Sequence, residues 1–168
     1  RRVSRSRLVA GLSSSNPRVH ATALETLFLA DPKAALDHAL RIVYGEVRCG
    51  DQSVLYRAGA GIARTGSSDQ LRAFLDSAKQ TTPYYIFRGF FCALADDKRA
   101  EFVPDLVRYC RAASPCRKEA LEALAQLASP TEIERLWAEF LADPVAGRPG
   151  DAYNALPYIA DGAVRLKV

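Results

Sequence analysis

Helical sequence in this chain comes in pairs, and the pairs recur. The stretch "NPRVHATALETLFLAD" runs into "DPKAALDHALRIVYG", and "DQSVLYRAGAGIARTG" is followed by "SSDQLRAFLDSAKQ". The same unit returns as "TPYYIFRGFFCALADD" with "KRAEFVPDLVRYCRAA" and as "SPCRKEALEALAQLAS" with "PTEIERLWAEFLADP", before a last helix in "RPGDAYNALPYIADG". The turns that end each first helix fall near Asp31, Gly66, Asp97, Ser129 and Gly162, at intervals of 35, 31, 32 and 33 residues. A single hairpin cannot bury its own apolar face, so a chain with this period is expected to stack hairpins on one another. Apolar residues recur at helical spacing almost everywhere and nowhere alternate as strands do, which predicts an all-α fold.

Local signals mark the ends. Asn16 and Asp31 are predicted N-caps, with Pro17 and Pro32 at the first helical position behind them, and Gly45 is a predicted stop. The inward stripe of the first helix is predicted to hold Val19, Ala23, Leu27 and Ala30, and that of the second Leu36, Ala39, Leu40 and Val43. In "YYIFRGFFCALA", Tyr84, Phe87, Phe91 and Leu94 share one stripe and Ile86, Phe90 and Ala93 another. Only Tyr85, Arg88, Gly89 and Cys92 are left for the remaining face, so this helix needs neighbours on more than one side. No apolar run reaches the roughly 20 residues of a membrane helix. Two glycines in "AGAG" (Ala58 to Gly61) each cost about 1 kcal/mol of helix propensity against alanine, which points to bulky neighbours approaching there and at Gly89.

The stretches "NPRVHATALETL" and "SPCRKEALEALAQLAS", each followed by a second amphipathic helix after a short turn, resemble HEAT repeats of the short bacterial kind. The resemblance spans residues 8 to about 162. It implies a right-handed α-α superhelix of about four to five hairpins, near residues 16–45, 51–80, 82–113 and 114–143, with a terminal helix at 148–161, all in one domain (8–168) behind a basic tail (1–7). The second repeat departs from the pattern in being glycine-rich, and the Asp and Arg positions usual in the family are kept only in part. The Trp, Leu-Gly, Tyr and Pro pattern of tetratricopeptide repeats is absent.

Chemistry-bearing motifs are sparse. The two histidines, His20 and His38, lie on successive helices with no metal-binding spacing and are expected to face solvent or a helix end, with no metal or other cofactor. Cys49, Cys92, Cys110 and Cys116 show no Cys-x-x-Cys spacing and are expected to be inert thiols in a reducing, cytoplasmic setting; a Cys110–Cys116 disulfide stays open as the rival reading. No G-x-S-x-G turn or phosphate-binding loop is present, and the glutamates of residues 119–139 suit solvated helix faces. A non-enzyme is expected.

Charge is the more telling feature. The net charge of +4 is uneven, with six basic and two acidic residues in 98–118 beside one basic and six acidic in 119–146. Arg57, Arg88 and Lys118 recur about one repeat apart and could form a basic ladder. The second helices carry mixed charge at helical spacing: Lys33, Asp37 and Arg41; Arg72, Asp76 and Lys79; Asp105, Arg108 and Arg111; Arg135 and Glu139. With Tyr44, Tyr109 and Trp137 as anchors, such a face suits a charged protein partner, and the chain is expected to act as a binding scaffold, a bacterial adaptor within a larger chain or complex. The alternatives implied by the HEAT resemblance are a nucleic-acid-binding protein, such as a glycosylase of alkylated purines, or a bilin lyase. The Asp and Arg of the glycosylase pattern find no match here, and Trp137 sits between Leu136 and Phe140 as a packing residue would.

Overall fold

A computed structural model describes residues 4–77, 82–111 and 116–142. Every regular element among them is helical: α1 (Arg5–Leu12), α2 (Pro17–Ala30), α3 (Pro32–Val43), α4 (Gln52–Thr65), α5 (Ser68–Ser77), α6 (Tyr84–Asp96), a 3₁₀ turn (Ala100–Phe102), α7 (Val103–Arg111), α8 (Arg117–Leu127) and α9 (Pro130–Ala142). The first helices of the pairs begin at residues 17, 52, 84 and 117, which keeps the period seen in the sequence. The terminal helix expected at 148–161 lies outside the described residues.

Capping chemistry sets the helix starts. The Asn16 side chain accepts a hydrogen bond from the Arg18 amide (3.0 Å), Asp31 from the Ala34 amide (3.1 Å), and Asp51 from the amides of Ser53 (3.0 Å) and Val54 (3.2 Å). Each satisfies an amide that has no partner inside its helix. Ser67 with Gln70, and Ser129 with Glu132, form reciprocal capping boxes at the starts of α5 and α9. At the other end of α3, Gly45 takes φ +77°, the left-handed conformation that closes a helix and favours glycine. Asp31 also pairs with Arg5 (2.8 Å), a pair exposed on the arginine side. Replacing Asp31 with Ala is expected to cost about 1 kcal/mol in urea unfolding, and Asp31→Asn only a few tenths, because asparagine keeps the cap while the surface ion pair adds little.

The chain divides into two compact units, Arg1–Asp76 with Thr81–Ala93, and Ser77–Gln80 with Leu94–Val168. In the first, α2 packs on α1, α3 and α4. Its buried residues are His20, Ala21, Ala23, Leu24 and Leu27. The predicted stripe was correct at Ala23 and Leu27 but not at its ends: Val19 and Ala30, in the first and last turns of α2, are exposed. On α3 the buried face holds Ala35, Leu36, Ala39 and Ile42, so Leu40 and Val43 are only half-buried. α1 starts at Arg5, inside the segment that reads as a tail, because Leu8 and Leu12 one turn apart give it a buried edge.

The aromatic helix α6 is core, as its double stripe requires. Ile86, Phe87, Phe90 and Phe91 are completely buried, and the Phe74 ring of α5 meets Phe90 (4.6 Å between centroids) and Phe87 (5.8 Å). Tyr84, counted inward by its spacing, is instead 43% exposed at the helix start. The glycines explain how α6 comes so near α4. A methyl group at Gly59 would overlap the Ile86 carbonyl and stand 3.0 Å from the Phe90 nitrogen; one at Gly89 would overlap the Tyr56 carbonyl and stand 3.1 Å from the Ala60 nitrogen. The two helices thus cross backbone to backbone, each glycine admitting a carbonyl of the other helix. The sequence predicts a bulky neighbour there; at Gly59 and Gly89 that neighbour is backbone, and at Gly61 it is the ring of Phe28.

In the second unit, Phe102, Leu106, Cys110, Ala120 and Leu124 are completely buried, and α7 packs on α8. The Arg99 guanidinium lies over the Phe102 ring (5.1 Å) and bonds Glu101, covering the apolar turn between α6 and α7 with a charge that stays at the surface.

Candidate binding site

A half-open cavity of about 680 Å³ lies within the first unit, on the face shared by α2, α4 and α6. Its floor is one side of α4 along its whole length, because the lining residues recur in adjacent pairs every four positions: Gln52 and Ser53, Tyr56 and Arg57, Ala60 and Gly61, Arg64 and Thr65. α2 contributes Glu25, Phe28 and Leu29, and α6 contributes Tyr85 and Arg88. The volume falls in the range of pockets that hold a compact ligand or a few residues of a peptide.

Contacts place two of these groups. Gly61 leaves a hollow into which Phe28 lies, so the ring of α2 becomes part of the floor. Arg57 of α4 is ion-paired with Glu25 of α2, tying the two walls together. Leu29 stands 85% exposed at the rim, the most exposed large apolar side chain among the described residues. Arg88 is exposed because α6 turns its two apolar stripes elsewhere. The lining therefore combines three guanidinium groups and one carboxylate with an apolar floor and two tyrosines. No histidine or cysteine lines it.

The chain matches no protein-family model, no curated protein and no solved structure.

The basic ladder of the sequence is partly assembled here, since Arg57 and Arg88 line the same cavity. Lys118 belongs to the second unit, where it pairs with Glu122 (3.8 Å). The second-helix residues fall elsewhere. Lys33, Asp37 and Arg41 are exposed on α3, with Arg41 bonded to Glu46 (3.2 Å). Arg72 pairs with Asp69 (3.8 Å) and Asp76 is exposed on α5. Arg108 pairs with Asp105 (3.4 Å) on α7, and Arg135 is exposed on α9. Among the expected anchors, Tyr44 is 60% exposed and lines a second cavity of about 550 Å³ with Cys49 and Pro83, whereas Tyr109 is buried and is a core contact. Lys79 and the side chains of Arg111, Trp137 and Glu139 lie outside the described residues. Phe28, Tyr56, Arg64 and Tyr85 were not singled out from the sequence. The four-residue pairing on α4 is a signal that could have found Tyr56 and Arg64; Phe28 and Tyr85 stand on other helices, where no comparable pattern marks them.

Neither histidine faces solvent, one of the two placements expected of them, though His20 does stand near the start of α2. His20 is buried, His38 partly so, and their Nε2 atoms are 3.1 Å apart. The ring centroids stand only 5.3 Å apart, so the rings point at each other nearly head-on, which suits one N–H···N hydrogen bond rather than two lone pairs converging on a shared ion. No group of three or more potential ligand residues converges among the described residues. Burial holds both rings below the usual histidine pKa. His38 is brought down to about 4, with the charges of His20 and Arg41 adding to the desolvation, and the carboxylate of Asp51 partly offsets the effect at His20.

All four cysteines are free thiols. Burial pushes Cys110 and Cys116 up to about 12 and raises Cys49, so these three remain protonated at neutral pH and are poor nucleophiles.

Proposed function

We propose that this chain is a non-catalytic binding module, a HEAT-like array of helical hairpins that holds part of a partner protein against the face shared by α2, α4 and α6. The observation that carries this reading is the cavity itself: an apolar, aromatic floor supplies contact area, and Arg57, Arg64 and Arg88 around it supply orientation. Rigid helices on which the arginines stand lower the entropy lost on binding. No helix among the described residues is long and apolar enough to cross a membrane. Free, protonated thiols suit a reducing interior, and we place the protein in the bacterial cytoplasm.

Photo-crosslinking tests the assignment of the face. With a benzophenone side chain at the exposed Leu29 position, irradiation in cells is expected to give a discrete protein adduct. Arg88→Glu should cut its yield about tenfold by reversing one rim charge, while Arg108→Glu on α7 should leave it unchanged. A yield that follows Arg108 and ignores Arg88 would move the binding face to the second helices.

A further inference from the structure

We infer that the occupant of the α2–α4–α6 cavity is a short acidic peptide segment, in which two carboxylates bracket one large apolar side chain. The inference rests on the protein-binding reading above and names the chemistry of the partner. Arg57 and Arg64 stand on the same side of α4, seven residues and so about 10 Å apart along the helix. Between them the floor is apolar and bare, because Gly61 presents no side chain and Phe28 lies across it. Arg88 closes the α6 side of the same space. An extended peptide advances about 3.3 Å per residue and turns every second side chain to the same face, so carboxylates four residues apart, about 13 Å, face the floor together within reach of the long side chains of Arg57 and Arg64. The side chain midway between them points to the same face and falls on Phe28 and the Gly61 backbone, where an aromatic or large aliphatic group gains the most contact.

Charge complementarity selects the class of partner. Three guanidinium groups against the single carboxylate of Glu25 leave the lining positive, which favours an anion and disfavours a basic or neutral segment. Glu25 also bears on the kind of anion. It is ion-paired with Arg57 in the wall, so a continuous phosphate backbone crossing the groove would meet a carboxylate beside one of its three cations. Nucleic-acid grooves instead carry an unbroken basic track. A peptide brings a single carboxylate to Arg57, which then shares its guanidinium between that group and Glu25, and it places no further charge along the α2 wall.

Fluorescence anisotropy on the whole chain at low salt decides it. Three labelled probes are compared: a hexapeptide with two aspartates four positions apart and a phenylalanine midway between them, the same peptide with asparagines in place of the aspartates, and an oligothymidylate. The acidic peptide should bind, and the asparagine peptide should bind at least about tenfold more weakly. Arg64→Glu and Arg88→Glu should each weaken the acidic peptide about tenfold while melting at the wild-type temperature. Equal binding of the two peptides, tighter binding of the oligothymidylate, or no binding of any probe would overturn the inference. The adduct formed from position 29 separates the two levels. If it persists and still depends on Arg88, a protein of other chemistry uses this face and only the peptide assignment falls; if it is lost too, the binding reading falls with it.

Discussion

Replacing Gly59 with Ala is expected to destabilise the protein by about 2–3 kcal/mol, even though alanine is the better helix former by about 1 kcal/mol. The added methyl group has nowhere to go: it would overlap the Ile86 carbonyl, a backbone atom that cannot swing aside. Gly89→Ala should cost about as much, since its methyl would overlap the Tyr56 carbonyl from the other side of the same crossing. A loss of this size corresponds to a fall of roughly 5–10 °C in Tm for a chain of this length. Two comparisons locate the cause. Gly61→Ala meets only the Phe28 ring, a side chain that can rotate, and Gly50→Ala meets nothing within 4 Å. Gly61→Ala should therefore stay within about 1 kcal/mol of wild type, and Gly50→Ala near neutral. The Gly59→Ala/Gly89→Ala double variant should be less damaging than the two losses added, because the first methyl already forces α4 and α6 apart. If Gly59→Ala melted with the wild type, the two backbones would not be in contact and the α6 wall of the cavity would lose its support. The same separation carries a functional cost, because it moves Arg88 of α6 away from Arg57 and Arg64 of α4.

Interactions within a few residues were legible in the sequence, and interactions between helices mostly were not. Asn16, Asp31 and Gly45 announce helix ends because a cap bonds to amides two or three residues away and a left-handed stop needs only the local backbone. The all-helical class and the hairpin period follow from spacing, which is also local. Which face a helix buries depends on how many neighbours surround it. Val19 continues the stripe of Ala23 and Leu27 in every respect that spacing can register, yet it is 46% exposed. The candidate site was half legible for the same reason. Arg57 and Arg88 stand out as equivalent positions of successive repeats, but the floor between them depends on Phe28 filling the hollow at Gly61, a contact across 33 positions of the chain. Glycines in "AGAG" signalled close approach without saying whether a ring or a backbone would arrive, and the structure has one of each. The histidines were least legible, because 18 residues separate them and no motif links one to the other.

Acid is expected to loosen the α2–α3 hairpin well above the range in which carboxylates titrate. At neutral pH one ring's Nε2–H donates to the other's Nε2, so His20 and His38 must hold opposite tautomers. Both rings are harder to protonate when folded than at the ordinary value of 6.5, so the unfolded chain binds more protons and stability falls as the pH drops below about 6.5. For His38 the loss continues to about 4, its folded value. At about 1.4 kcal/mol per pH unit that shift would amount to about 3.5 kcal/mol, and solvent screening of a half-buried ring reduces it to about 1–2 kcal/mol. The protons should act in two steps. The first leaves an imidazolium that still donates to its neighbour, and only the energetic cost of charge in a dry site is felt; the Asp51 carboxylate eases that cost on the His20 side. The second sets two N–H groups against each other across 3.1 Å, close to the Arg41 charge, and the hydrogen bond is lost. Urea midpoints measured between pH 7.5 and 5 should therefore fall with acid in the wild type and stay nearly level in the His20→Leu/His38→Leu double variant, which has no pair to charge. The double variant isolates the effect better than either single change, since His38→Leu alone leaves the buried His20 ring without its partner. A wild-type midpoint as flat as that of the double variant would mean that the rings are solvated and the pair does not form.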